Sequence, residues 1–239
     1  MSAVRALGVI PARGGSKRLP RKNALPLCGA PAVAWTIAAA RAATRLTDWL
    51  LSTDDAEIAA IGRRYGAPVP FVRPPELATD TVRNGDVMVH ALDFMERQMG
   101  LSYDIVVLLQ PTCPIRDPLH IDRAVEMLAA SNLPTLASVR GPFRKHFPTL
   151  KRVGADGVLV DYVPIEPGAD WEPYYIYNAA IYAIRRDWLL EHRSFVSPRQ
   201  VPLPMDEFHS TDIDTISDLI VAEARLRFLG RTAPQEVPS

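Results

Sequence analysis

The chain has little of three things: cysteine, net charge and long apolar runs. Cys28 and Cys113 are its two cysteines in 239 residues, too few for a disulfide framework and typical of reduced thiols. Lys plus Arg and Asp plus Glu both number 27, so no overall field attracts nucleic acid or an anionic membrane. No stretch reaches the roughly 18 apolar residues of a membrane helix, and no apolar run follows a basic start at the N-terminus. We therefore expect a cytoplasmic protein without nucleic-acid or membrane partners.

What the sequence does contain is a regular alternation of short apolar runs and amphipathic segments. Strands are predicted at 6–11, 49–53, 69–72, 105–109, 135–140 and 179–184; helices are predicted at 31–45, after a capping box at Asp54, and at 84–99, 118–131, 186–192 and 215–229. Units of this length predict a doubly wound, mostly parallel α/β sheet. Ligands bind beyond the carboxyl ends of such strands. The loops beginning at Ala12, Asp54, Arg73 and Gln110 are therefore expected to form one site.

The alternation stops between Gly141 and Asn178, a stretch rich in proline with a possible hairpin at 154–157. We interpret residues 1–239 as a single domain in which 141–178 is an insertion that leaves the main sheet. Residues 230–239 are polar and contain proline, so we expect this tail to fray.

The strongest chemical signal is the loop at residues 10–23, which reads IPARGGSKRLPRKN. Gly14 and Gly15 let backbone N–H groups approach a ligand, and several cations follow within ten residues, a combination suited to a polyphosphate. The spacing is neither that of a Walker A loop nor that of a dinucleotide fingerprint. From charge alone, a solvated basic loop and a nuclear-localisation cluster remain equally good interpretations.

This loop resembles the signature of the acylneuraminate cytidylyltransferases, which activate sialic acids and related nonulosonic acids with CTP. Five further blocks occur in the family's order: LSTD at 51–54, RPPELATDT at 73–81, LLQPTCPIR at 108–116, NAAIY at 178–182 and STDIDT at 210–215. Together they extend over nearly the whole chain. The resemblance implies a Rossmann-like nucleotidyltransferase fold, and it implies that the 141–178 insertion forms a homodimer.

The resemblance also implies roles for individual residues. CTP would be bound by the following: Arg13, Gly14, Gly15, Ser16, Lys17, Lys22, Asn23, Arg73 and Asn84, the last of which replaces the family's usual serine. Lys17 or Lys22 would neutralise the leaving pyrophosphate, and Asn23 would lie beside the reacting phosphate. Gln110, Thr112 and Asn178 would contact the sugar acid, and Lys145 of the insertion would reach a partner's site and contact its carboxylate.

Asp212 and Asp214 are the candidate metal ligands. Residues two apart in a strand point to the same face, and paired carboxylates suit Mg²⁺, which keeps waters and substrate phosphates as further ligands. By spacing alone, an exposed acidic turn in which Asp214 caps the last helix explains them as well; the resemblance favours the metal. With Arg13, Lys22 and Asn23, the two aspartates complete the predicted catalytic set.

The predicted reaction is displacement at the α-phosphorus of CTP by the anomeric hydroxyl of a nonulosonic acid. Two alternatives stay open at this stage. A cytidylyltransferase for 3-deoxy-octulosonic acid shares the general fold, although its opening loop is less basic than residues 14–23. A nucleotide-binding regulator without catalysis is the other, although it has no need of both a phosphate grip and a metal pair.

Overall fold

Helices and strands alternate along the computed structural model, which describes residues 4–100, 102–143, 151–162 and 173–238. The main sheet contains β1 Ala6–Pro11, β4 Asp48–Ser52, β5 Ile105–Leu109, β6 Thr135–Phe143, β9 Tyr174–Arg185 and β10 Val201–Pro204. Two small hairpins pair β2 Pro26–Leu27 with β3 Ala30–Pro31 and β7 Lys151–Val153 with β8 Leu159–Asp161. The helices are α1 Ala32–Ala42, α2 Ala56–Arg64, α3 Asn84–Met99, α4 Pro118–Ala129, α5 Arg186–His192 and α6 Ile216–Phe228.

The strands of the main sheet lie in the order β10-β6-β9-β5-β1-β4. β1 is parallel to β4 and β5, and β10 is parallel to β6, whereas β9 runs antiparallel to both of its neighbours. The predicted mostly parallel α/β sheet is therefore confirmed. Because β9 is reversed, its first residues lie at the edge where β5 ends.

Helices cover both faces of the sheet, so its central strands are buried on both sides. Ile10 packs with residues of α1, α2 and α4, while its neighbour Val9 packs on the other face with residues of α3 and α5. All five residues of β5 are buried, as its continuous apolar run predicts. Polar side chains can then gather only where the strands end.

The predicted strand at 69–72 is wrong, because this segment is irregular. Pro70 has no N–H to donate to a ladder. The backbone on either side is held by two hydrogen bonds, from Leu51 N to Pro68 O at 2.9 Å and from Arg73 N to Thr53 O at 2.8 Å. The segment therefore follows the edge of β4 without forming a strand and delivers Arg73 to the carboxyl edge of the sheet.

The interpretation of 141–178 as an insertion outside the main sheet is only partly correct. β6 continues through the start of this stretch to Phe143, and β9 already begins at Tyr174, so both ends belong to the main sheet. The hairpin expected at 154–157 is confirmed by β7 and β8. Lys145 lies outside the described residues, and the part played by the insertion in dimerisation stays a prediction.

The C-terminal tail contacts the domain. Val237 N donates to Arg64 O at 2.8 Å, and Glu236 lies 3.4 Å from the Arg64 guanidinium. Ala233 packs against the core near Gly29. These contacts hold the described part of the tail along the surface. Its fraying in solution stays a prediction. Within the described ranges, no helix is both long and apolar enough to cross a bilayer.

Candidate active site

Loops that follow β1, β4 and β5 surround a cavity of about 180 Å³ at the carboxyl edge of the sheet. Nine of the predicted site residues line it: Arg13, Gly15, Ser16, Lys22, Asn23, Arg73, Asn84, Gln110 and Thr112. These residues are as much as 99 positions apart in the sequence (Arg13 to Thr112). The loops beginning at Ala12, Arg73 and Gln110 thus meet at one cavity, as expected, whereas the loop beginning at Asp54 contributes no residue to its lining.

The loop at residues 10–23, called the basic loop below, is held by contacts within itself and with the start of α2. Asn23 donates through Nδ2 to Arg13 O at 3.0 Å, and its buried Oδ1 has no partner among the described residues. Arg21, in the left-handed region at φ 57°, forms a forked pair with Asp55 at 2.5 and 3.0 Å and also contacts Glu57. The Arg21 hydrogen bonds lower the pKa of Asp55 to about 2. The loop is thereby fixed to the start of α2.

Gly14 lies at the point where this loop touches the end of β4. Its N–H donates to Asp54 Oδ1 at 3.2 Å, so this amide already has a protein partner. Asp54 was expected to cap α2, but the cap is Asp55, which accepts the Ile58 N–H at 2.9 Å. Asp54 therefore accepts a hydrogen bond from the basic loop, whereas Asp55 binds both Arg21 of that loop and the N-terminus of α2.

We expect Gly14→Ala to destabilise the protein by about 1–3 kcal/mol, the range for overpacking. A Cβ on Gly14 would lie 2.4 Å from Asp55 Oδ2. Arg21 donates to this oxygen, and the Ile58 N–H at the start of α2 donates to Oδ1 of the same carboxylate. Gly15→Ala is the matched control, because a Cβ there meets no atom within 4 Å. Urea unfolding of both variants measures the difference. Equal free energies of unfolding for the two variants would show that the Asp55 side chain moves aside without cost.

Carboxylates neutralise the cations of the basic loop. Asp80 pairs with Arg13 at 2.7 Å and with Lys17 at 2.6 Å, and these two contacts lower the pKa of the Asp80 carboxyl. Asp214 pairs with Lys22 at 2.9 Å and with Arg18 at 2.8 Å. A polyphosphate entering the cavity would compete with these carboxylates for the same cations.

Arg73 and Asn84 enter the cavity from the segment after β4. Arg73 is 4% exposed and donates to Ser52 O at 2.9 Å, while its Nε has no partner among the described residues. Burial lowers the pKa of its guanidinium. Asn84 is the first residue of α3 and lines the same wall. That both bind CTP stays a prediction.

The loop after β5 is linked to the loop that carries Asp212 and Asp214. Thr112 O accepts the Ile213 N–H at 2.8 Å. Arg116 is buried and donates to the carbonyls of Gln110 and Cys113, the latter at 2.8 Å. Burial lowers the pKa of Arg116 to about 10 and raises the pKa of the Cys113 thiol, which disfavours the thiolate. The arrangement fixes Gln110 and Thr112 relative to the aspartates.

A second cavity, of about 320 Å³, is lined by residues that include Asn178 and Asp212. Asn178 was expected beside Gln110 and Thr112, but its amide is engaged elsewhere. Its Oδ1 accepts from Ser138 Oγ at 2.5 Å, and its Nδ2 donates to Ser210 Oγ at 2.9 Å. Asn178 therefore connects β6 and β9 to the loop before α6, and its contact with a sugar acid stays a prediction.

Asp212 and Asp214 lie in an irregular segment, so the expected strand placing both on one face is wrong. Asp214 is not the helix cap either: Thr215 caps α6 and shares a capping box with Asp218. Asp212 is exposed in the second cavity, and Asp214 is bound by Lys22 and Arg18. Asp212 offers the second cavity a hard oxygen donor of the kind Mg²⁺ prefers. Asp214 lines neither cavity, so Mg²⁺ binding by the pair stays a prediction.

A mostly parallel sheet with a basic loop after its first strand, facing a cavity at its carboxyl edge, is the architecture of a Rossmann-like nucleotidyltransferase. A solved structure of CMP:2-keto-3-deoxy-manno-octonic acid synthetase complexed with CTP matches 95% of this chain and 99% of its own, with a TM-score of 0.68 and 18% identity. A 4-diphosphocytidyl-2C-methyl-D-erythritol synthase from Anaerococcus prevotii matches with a TM-score of 0.58 at 14% identity over 95% of this chain and 100% of its own. At these identities the likeness concerns the fold.

The sequence comparisons narrow this class. A family model described as Cytidylyltransferase matches residues 7–158. A CMP-N,N'-diacetyllegionaminic acid synthase of Legionella pneumophila is 37% identical over 226 residues, 92% of this chain and 95% of the relative. The chain belongs to the cytidylyltransferase family. An N-acylneuraminate cytidylyltransferase of Streptococcus agalactiae is 32% identical over 92% of this chain, which spans about half (53%) of that relative.

Proposed function

We propose that this enzyme transfers CMP from CTP to the anomeric hydroxyl of a sialic-acid-like nonulosonic acid and releases pyrophosphate. The observation that carries the proposal is the first cavity, where basic-loop residues, Arg73, Asn84 and the residues after β5 line one space. Two relatives that match 92% of this chain by sequence are named as a CMP-N,N'-diacetyllegionaminic acid synthase and an N-acylneuraminate cytidylyltransferase. The structure related to 3-deoxy-octulosonic acid shares only 18% identity and supports the fold alone.

The triphosphate would bind along the basic loop. Lys22 is the cation best placed for the leaving pyrophosphate, because its side chain is only 14% exposed and its Nζ points to Asp214. Lys17, whose side chain is 82% exposed, and Arg13 would release Asp80 and bind the outer phosphates instead. Neutralising charge on the leaving group is the main electrostatic demand of nucleotidyl transfer. The unpartnered Oδ1 of Asn23 is left to accept a hydrogen bond within the same cavity.

The acceptor would approach from the second cavity. Thr112 of the first cavity accepts the N–H of Ile213, which follows Asp212 of the second cavity in the sequence. The second cavity is lined by the exposed Asp212 and by Arg140. An anomeric hydroxyl bound near Asp212 would attack the α-phosphate of CTP held in the first cavity. Holding both reactants in this geometry supplies much of the rate gain in a direct displacement.

Asp212 and Asp214 would hold Mg²⁺ with substrate phosphate oxygens. When bound, the ion supplies positive charge that stabilises the pentacoordinate phosphorus and the leaving group. Lys22 and Arg18 already orient the Asp214 carboxylate. We also propose a homodimer and a cytoplasmic location. The exposed apolar residues Tyr175 and Tyr177 at the start of β9 support the first, and the use of CTP together with free Cys28 and Cys113 supports the second.

The test is pyrophosphate release by the purified chain with CTP and Mg²⁺, against a panel of legionaminic, pseudaminic, neuraminic and 3-deoxy-octulosonic acids. We expect turnover with one of the nine-carbon acids. Turnover with 3-deoxy-octulosonic acid alone would reassign the substrate. CTP binding without turnover on any member of the panel would contradict an enzyme of this type and favour a nucleotide-binding regulator.

A further inference from the structure

Two histidines and two aspartates form a cluster between the start of α4 and the loop before α6. Asp117 and His120 belong to the N-terminal turn of α4, and Asp206 and His209 belong to the loop that leads to Asp212. None of these four residues lines either of the cavities described above. We call this group the α4 cluster. The proposed reaction gives it no role.

His209 is oriented as a metal ligand would be. It is 9% exposed, and its Nδ1 lies 2.9 Å from both carboxylate oxygens of Asp206. A proton on Nδ1, donated to Asp206, leaves the lone pair of the neutral ring on Nε2. Histidines that bind metals are held in this way by a carboxylate on the other ring nitrogen.

The Nε2 atom of His209 faces a second acceptor. It is buried and has no hydrogen-bond partner among the described residues, yet Asp117 Oδ2 lies only 3.1 Å away. Neighbouring ligands of a tetrahedral ion are separated by about 3.3 Å when the bonds are 2.0–2.1 Å long, as for Zn²⁺. The observed distance therefore suits two ligands of one ion. Arg231 contacts Oδ1 of the same carboxylate and leaves Oδ2 to His209.

His120 completes the set. Its ring lies 5.0 Å from that of His209, centroid to centroid, and one ligand atom from each of Asp117, His120 and His209 lies within 4.8 Å of the others. In the present arrangement His120 Nδ1 accepts the Asp117 N–H at 3.1 Å as part of the helix cap. Entry into a coordination sphere would release that hydrogen bond.

We propose that Asp117, His120 and His209 form a binding site for a transition-metal ion of the Zn²⁺ type, with Asp206 as the carboxylate behind His209. Two imidazoles and one carboxylate favour such an ion over Mg²⁺, which prefers oxygen ligands. The ion would join the start of α4 to the loop that carries Asp212 and Asp214. The site is independent of the proposed reaction, because none of its residues contacts CTP or acceptor in that scheme.

The experiment uses the full chain, stripped with EDTA and titrated with Zn²⁺ in competition with a chromogenic chelator, without CTP. We expect one tightly bound Zn²⁺ per chain, an affinity reduced about 100-fold or more in His209→Gln and His120→Gln, and a reduction of about 10–100-fold in Asp206→Asn. Co²⁺ in place of Zn²⁺ should give the strong visible absorption of a four-coordinate site in the wild type, and this absorption should be lost in His209→Gln.

Two controls make the result decisive. His192→Gln, on α5, should leave Zn²⁺ affinity unchanged, and Asp212→Ala should retain it, which separates this site from the Mg²⁺ ligands. Circular dichroism checks that each variant folds, and Asp206→Asn carries the test if His209→Gln does not. The proposal is overturned by a wild type that binds no Zn²⁺, or by binding that persists in the folded His209 and His120 variants. Either result would leave a proton shared with Asp117 as the partner of His209 Nε2.

Discussion

Replacing Lys22 with methionine should lower the turnover number for pyrophosphate release by about 10²–10³-fold, the usual cost of removing one preorganised donor to a developing anion. Lys22 is the least exposed cation of the basic loop, with its side chain 14% exposed, and it borders the cavity. Methionine keeps the unbranched shape of the side chain, one atom shorter, and removes its charge. The substitution should leave the fold intact, because Arg18 still pairs with Asp214.

Arg18→Met is the matched control for Lys22. Both side chains reach Asp214, at 2.8 and 2.9 Å, but Arg18 is 73% exposed and does not line the cavity. We expect its turnover to change by less than about threefold, as an exposed ion pair contributes little. Steady-state kinetics at saturating CTP and acceptor compare the two variants. Similar losses in both would mean that their shared role is to orient Asp214 and not to bind phosphate.

The parts of the fold that the sequence predicts well are those governed by local patterning. The periodicity at 84–99 predicts α3 with its observed bounds, and the apolar run at 105–109 predicts β5. β10 escapes prediction because Pro202 and Pro204 argue against a strand. It lies at the edge of the sheet, where prolines are tolerated because one side needs no partner. Its pairing with β6 depends on residues more than 60 positions away, which local patterning does not record.

In the candidate site, too, the sequence predicts what is local and misses contacts between residues far apart in the chain. The basic loop and the segment after β5 are visible in the sequence because their chemistry is contiguous. The sequence does not reveal which carboxylates hold the basic loop. Asp80 lies 67 positions from its partner Arg13, and Asp214 lies 192 positions from its partner Lys22. One signal was available: a strongly basic loop in a chain of zero net charge needs acidic partners elsewhere. Asn178 shows a different limit, because a family motif does not reveal that its amide is bonded to Ser138 and Ser210.

Asp212→Asn should reduce turnover by about 10²–10⁴-fold and raise the Mg²⁺ concentration needed for half-maximal rate. The carboxylate is exposed in the second cavity, and an amide is a much weaker ligand for a hard cation. A Mg²⁺ titration at fixed CTP and acceptor measures both effects. The fold should be little affected, because Asp212 has no ion pair among the described residues and the loop is anchored by the bond from Ile213 N to Thr112 O.

Asp218→Asn separates ion binding from the general loss of negative charge in that cavity. Asp218 lines the same space, but its Oδ2 accepts from the N–H groups of Asp214 and Thr215 in the α6 cap, a role that the asparagine oxygen can keep. We expect its Mg²⁺ requirement to remain that of the wild type and its turnover to fall by less than about threefold, because no ligand is removed. If Asp218→Asn shifts the Mg²⁺ requirement as far as Asp212→Asn does, both substitutions act by removing negative charge from the cavity and not by removing a ligand of the ion. The metal assignment would then pass to Asp214 alone.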